Sequence, residues 1–209
     1  MSALCRLRVK FLVLFLLGTG MVVSFANTSA KAIDLETAVW YYERKQWVPA
    51  FLDFQILAAE GNTAAAAYMG RMFRQGWGVE KNYQEAEKWL RIGADGGVLW
   101  AHHRLGWMYA RGEAQGGESA VSAVKHWKIA AEAGHSRAQQ DLGVMYWNGE
   151  GVAKNLILAY AWISLAARDE GLVTAMQNLS TLEARMSATD LEEARSLAKQ
   201  LGEEIKSES

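Results

Sequence analysis

The residues best able to do chemistry in this sequence are four histidines, several paired carboxylates and two glycine-rich runs, and none has the spacing its chemistry needs. His102 and His103 are adjacent, so on a helix they point about 100° apart and away from a shared ion. His126 and His135 fall in different segments, and no His-x-x-x-His spacing exists to build a zinc site. Glu192-Glu193 and Glu203-Glu204 read as solvated helix faces rather than as an acid and base set across a cleft. The sequence has no Gly-x-Ser-x-Gly, no His-Glu-x-x-His and no Walker loop. Gly76–Gly78 and Gly149–Gly151 could cradle a phosphate, but they recur at a fixed interval, which is a structural cause. No catalytic residue, no cofactor and no metal site are therefore expected. An envelope enzyme acting on peptidoglycan or a β-lactam stands as the alternative, because opposed carboxylates in a cleft leave no linear signature.

The elements that would position such residues announce themselves by self-similarity. Ala65, Ala101 and Ala138 each open a segment in which Met69-Gly70, Leu105-Gly106 or Leu142-Gly143 follows, then Phe73, Tyr109 or Tyr146. Gly76, Gly112 and Gly149 end that helix, and Val79 and Val152 are expected to fold the turn onto the core. Asn82, Ser119 and Asn155 occupy N-cap positions of a second helix, with Asn82 and Glu85 spaced as a capping box. Ala86, Ala123 and Ala159 follow, then Trp89, His126 and Trp162, and the small pairs Gly93-Ala94, Ala130-Ala131 and Ala166-Ala167.

In this register the sequence resembles the Sel-one-like repeat (SLR) family, a relative of the tetratricopeptide repeats. The resemblance implies an all-α fold, a right-handed α-solenoid superhelix of antiparallel helix pairs, and a role as an adaptor in protein complexes. Some cysteine-rich secreted members have carried a penicillin-binding or β-lactamase label. The only cysteine here, Cys5, lies in the expected leader, which sets this chain apart from them.

The expected organisation is residues 1–32 as a signal peptide, 33–61 as a degenerate opening repeat, and three repeats over 62–97, 98–134 and 135–171. Residues 172–202 form a degenerate repeat plus a C-terminal capping helix, whose start is read at Thr189-x-x-Glu192, and 203–209 a flexible tail. Arg6, Arg8 and Lys10 precede the apolar run Phe11–Val23, with cleavage options after Ala32 or Ala26. That pattern predicts export to the periplasm or beyond, with a membrane-tethered regulator as the outcome if the leader is uncleaved. Without it, 18 basic residues face 23 acidic ones, a net of about −5 that gives no footprint for nucleic acid.

In tetratricopeptide arrays the first helix of each pair lines a concave groove, at positions that can be counted from the repeat glycine. Those positions place Trp100 and Arg137, His103 and Gln140, and Arg71 and Trp107 in the groove. One turn further on they add Arg74 and Trp147, then Arg111 and Asn148. Tryptophan and arginine dominate interface hot spots, so the partner expected is a protein or peptide, and the arginines would suit an acidic one. The competing reading is that these tryptophans only pack between neighbouring repeats.

Overall fold

The computed structural model describes residues 33–169 and 171–207; the expected leader lies outside them. Ten helices follow one another among the described residues: α1 Leu35–Glu43, α2 Trp47–Ala59, α3 Thr63–Gln75, α4 Tyr83–Asp95, α5 Leu99–Ala110, α6 Ala120–Glu132, α7 Ser136–Asn148, α8 Leu156–Ala166, α9 Val173–Glu183 and α10 Ala188–Ser207. Each helix packs on the next through α9, and α10 returns to pack on α8. The fold is an all-α solenoid.

The repeat glycine sets how closely each pair packs. A Cβ at Gly70 would fall 2.7 Å from Leu90, at Gly106 2.4 Å from Trp127, and at Gly143 2.5 Å from Ile163. Leu90, Trp127 and Ile163 are the same position of the second helix, one residue after the slot of Trp89, His126 and Trp162. Beside them Leu105, Met108 and Leu142 have no exposed surface, each worth about 1.5–3 kcal/mol of apolar burial. In the second repeat the residue that fills the core is therefore Trp127, 3% exposed, while His126 stands at the edge.

The turns join neighbouring repeats. Gly151 has φ +68°, and a Cβ there would meet the Ala120 carbonyl at 2.5 Å; Gly78 stands in the same relation to Trp47. The glycine is required twice over, by its left-handed backbone and by a neighbouring backbone that cannot yield. Asn82, Ser119 and Asn155 cap α4, α6 and α8 through side-chain oxygens at 2.9–3.2 Å from helix N–H groups. The Asn82–Glu85 capping box is only half formed. Glu85 turns to Lys88 and to the Trp89 indole, and the Asn82 N–H donates to the Phe73 carbonyl.

Two expectations for the C-terminus are corrected. The cap of α10 is Ser187, whose hydroxyl accepts from the Asp190 N–H at 3.1 Å, not Thr189. The helix also runs on through Ser207 where a flexible tail from 203 was expected. Its last turns have somewhere to pack: Leu201 and Ile205 lie against the central core cluster, with Ile205 over Gly134.

Candidate functional site

One face of the array is built by the odd-numbered helices, which touch through their side chains. Tyr42 of α1 meets Tyr68 of α3 edge-on at 5.0 Å between ring centroids, and Tyr68 meets Trp100 of α5 at 5.3 Å. His103 of α5 reaches Asp141 of α7 at 2.8 Å, and Gln140 of α7 bonds Thr174 of α9 at 2.9 Å. Arg71 lies over both Tyr42 and Trp77, and Arg111 over Trp107. Side chains held against rings in this way lose less freedom on meeting a ligand than free arginines do.

The structure divides the sequence-derived groove residues into three kinds. Arg71, Arg111, Arg137, Gln140 and Asn148 keep surface toward solvent. Trp100, Trp107 and Trp147 are half-buried: the first two pack against the central cluster and Trp147 against the C-terminal one, under Arg185. Arg74 and His103 are buried and already partnered. The Arg74 guanidinium holds Glu113 at 2.6 and 3.2 Å, so its charge is met within the protein. Asp141 is the acceptor for His103, which places a proton on Nε2 and leaves the Trp107 indole N–H, 3.3 Å from that same nitrogen, without a good acceptor.

Counting from the glycine missed a register. Tyr68, Arg104 and Asp141 stand two residues before Gly70, Gly106 and Gly143, and all three take part in this face. Arg104 is half-buried among other arginines. Burial, then the charges of Arg71, Arg74 and Arg137, push its pKa down, against a weak upward pull from Tyr42. Beside this face, a cavity of about 280 Å³ lies between the second and third repeats, lined by Trp107, Trp127, Val144, Met145, Asp141 and Glu118. Its size and lining suit one apolar or cationic side chain.

The histidines come together in pairs, although not as a metal centre. His102 Nδ1 lies 3.1 Å from His126 Nδ1, and the rings of His103 and His135 are 4.8 Å apart. Among the described residues no three of His, Cys, Asp and Glu stand close enough to hold a metal ion. His135 also caps α7, its Nδ1 accepting from the Ala138 N–H. Burial, and then the neighbouring histidine, lowers both His126 and His135 to a pKa of about 4.

A histidine with a depressed folded pKa leaves the native state with fewer protons than the unfolded chain between the two values. Stability is then full above the unfolded pKa, about 6.5, and is lost as pH falls toward 4. The urea midpoint should decline between pH 7 and pH 5, and less steeply in His126→Gln. A midpoint flat over that range would show that these rings are not held neutral.

Serine and lysine at Ser-x-x-Lys spacing occur twice, at Ser122–Lys125 and Ser196–Lys199. Neither makes a site. The Ser122 hydroxyl bonds to the capping Ser119 hydroxyl, both lysines are exposed, and Ser196 and Lys199 stand on the outer face of α10.

The Sel1 repeat family profile matches residues 63–98, 101–135 and 136–170, half of the chain. A solved Sel1 repeat protein from Oxalobacter formigenes is 30% identical, with a TM-score of 0.64 over 70% of this chain and 59% of its own. A second structure is c5321, a protective antigen present in uropathogenic Escherichia coli strains and displaying an SLR fold. It is 24% identical, with a TM-score of 0.57 over 76% of this chain and 42% of its own, and bears on the fold alone. The chain thus spans less than two thirds of either neighbour. No curated protein matches it.

Proposed function

The chain belongs to the Sel1 repeat family, and from that premise we propose that it is a non-enzymatic adaptor, exported by its N-terminal leader, that grips a protein partner with the face of its odd-numbered helices. Sel1 repeats generally form a non-catalytic fold that mediates protein–protein interaction. The observation that carries the reading is the half-buried pair Tyr68 and Trp100 with Arg71 and Arg104 beside them and Trp107 and Asp141 further along the face, all seated over the buried Tyr42 and His103. Large rings and guanidinium groups, half-desolvated and fixed by one another, are the composition of an interface core. The export half of the proposal rests on the basic start, the apolar run and the small-residue cleavage options of residues 1–32.

A photo-crosslinking amino acid placed at Gln140, on this face, should capture a partner in cells producing the protein at native level. The same probe at Ile129, exposed on an even-numbered helix, should capture none. Capture from Ile129 alone would move the interface to the opposite face. An N-terminal mass beginning at Ile33 or Asn27 is the expected mark of export, and retention of residues 1–26 would remove that half of the proposal.

A further inference from the structure

The least comfortable residues of this face are its arginines. Arg71, Arg104 and Arg137 come from three successive odd helices, and Arg71, Arg74 and Arg137 each act electrostatically on Arg104 between them. Arg74 is neutralised by Glu113. The ion pairs among the described residues include no carboxylate within 4.0 Å of any of the other three. Arg104 lies at the centre and is half-buried, and no carboxylate is among the groups acting on it. A half-buried Arg104 held among like charges without a counter-charge raises the free energy of the empty protein, while Arg71 and Arg137 keep surface toward solvent. A chain whose acidic groups outnumber its basic ones outside the leader had carboxylates to spare for pairing here.

A second observation comes from beneath the cluster. The Tyr42 hydroxyl is buried and makes no hydrogen bond, a rare state for such a group. Arg71 covers its ring, and both Arg71 and Arg104 act on it. An anion that drew Arg71 outward would open a path to this donor and supply the acceptor it lacks. Beside Arg71 stand the rings of Trp77 and Tyr68, and Tyr68 in turn meets Trp100. Such rings favour an apolar side chain beside the negative charge.

We propose that the arginine cluster of Arg71, Arg104 and Arg137 is a binding site for an acidic peptide segment, whose carboxylates pair with the guanidinium groups while a neighbouring apolar side chain lies on Tyr68 and Trp100. It rests on the adaptor reading for the identity of the face, and deepens it by giving the partner a chemistry. A guanidinium offers a carboxylate two parallel N–H donors, so three arginines on successive repeats read carboxylates spaced along an extended chain. The surrounding acidity of the protein repels anions that make only long-range contact, which confines binding to segments that reach the cluster.

The test uses the full chain and a fluorescein-labelled dodecapeptide of repeating Glu-Glu-Leu, with Lys-Lys-Leu and a heparin oligosaccharide as the contrasting probes. The glutamate peptide should bind, weaken with added salt, and bind about tenfold more weakly to Arg104→Gln, the loss expected for one charged hydrogen-bonding group. Arg104→Lys should fall between. Arg104→Gln should melt no earlier than the wild type, because it relieves repulsion in the empty site. Equal binding by Arg104→Gln, no binding of the glutamate peptide, or a preference for heparin would each overturn the proposal. Photo-capture from Gln140 that persists in Arg104→Gln would leave the adaptor reading standing and the acidic specificity refuted. Glutamate-peptide binding with no capture from Gln140 would do the reverse.

Discussion

Gly143→Leu should lower the stability of the array by about 1–3 kcal/mol, the cost of overpacking a filled site. A Cβ alone would come within 2.5 Å of Ile163 and 3.0 Å of the Ala159 carbonyl oxygen. The first neighbour is a side chain that could turn aside, but the second is the backbone of α8, so the two helices must separate. Glycine inside a helix itself costs about 0.5–1 kcal/mol relative to alanine, and leucine recovers most of that, so the measured loss understates the clash. For a chain of this length the melting temperature should fall by roughly 2–12 °C, with a lower urea midpoint and an unchanged slope. Gly97→Ala is the control. Gly97 has φ +85° with nothing within 4 Å of a Cβ, so only a backbone penalty of about 1–2 kcal/mol applies. If Gly143→Leu melted with the wild type while Gly97→Ala showed its backbone loss, close packing at the repeat glycine would not be what holds the pairs together.

That packing was legible in the sequence because it repeats. A small residue, a glycine and an aromatic returning in register over three units can be read without coordinates, and so can the caps at Asn82, Ser119 and Asn155. What does not repeat could not be read in this way. The second turn, residues 111–119, departs from the pattern and its shape could not be derived. The contacts that shape it, Glu113 with Arg74 and Gln115 with Glu87, join residues 39 and 28 positions apart and have no counterpart in the other turns. The length of α10 was lost for a similar reason: Ile205 finds its place against Gly134, in a different repeat.

The candidate site shows the same division. Positions counted from the glycine found Trp100, Trp107, Arg71 and Arg137, because a helical period fixes which residues share a face. The count omitted the register of Tyr68, Arg104 and Asp141, and it could not tell that Arg74 is consumed by Glu113. Nor could adjacency foretell the histidine pairs. His102 and His103 do point apart, yet each meets a histidine from the next helices along the chain, His126 of α6 and His135 at the cap of α7. Period gives the face; partnership across helices decides which residues on it remain free to bind.

Glu87 is a buried instance of such a partnership. The residue is 2% exposed, and its carboxylate accepts from the Gln115 N–H at 2.7 Å, the Tyr109 hydroxyl at 2.9 Å and the Arg91 guanidinium at 2.6 Å. Burial alone would raise its pKa, but the Gln115 N–H, Arg91 and Tyr109 together bring it below the usual carboxylate value. Glu87→Ala removes the acceptor of the Tyr109 O–H and of the Gln115 N–H in the second turn, although Arg91 still donates to the Tyr109 oxygen. Breaking a buried pair costs about 3–5 kcal/mol, and Arg91 is half-exposed and can return to water, so the lower end, about 3 kcal/mol, is expected. Because the loss falls on the turn, trypsin should cleave after Arg111 well before it attacks the folded helices, and Glu87→Gln should be milder on both counts. A carboxylate with a depressed folded pKa gives stability that is full above its unfolded pKa, near 4.5, and is lost as pH falls below it. The wild type should therefore lose more stability than Glu87→Gln on acidification below that point, a window separate from the histidine slope above it. If Glu87→Ala melted with the wild type and kept Arg111 protected, the second turn would owe its shape to the Arg74–Glu113 pair and its glycines, not to Glu87.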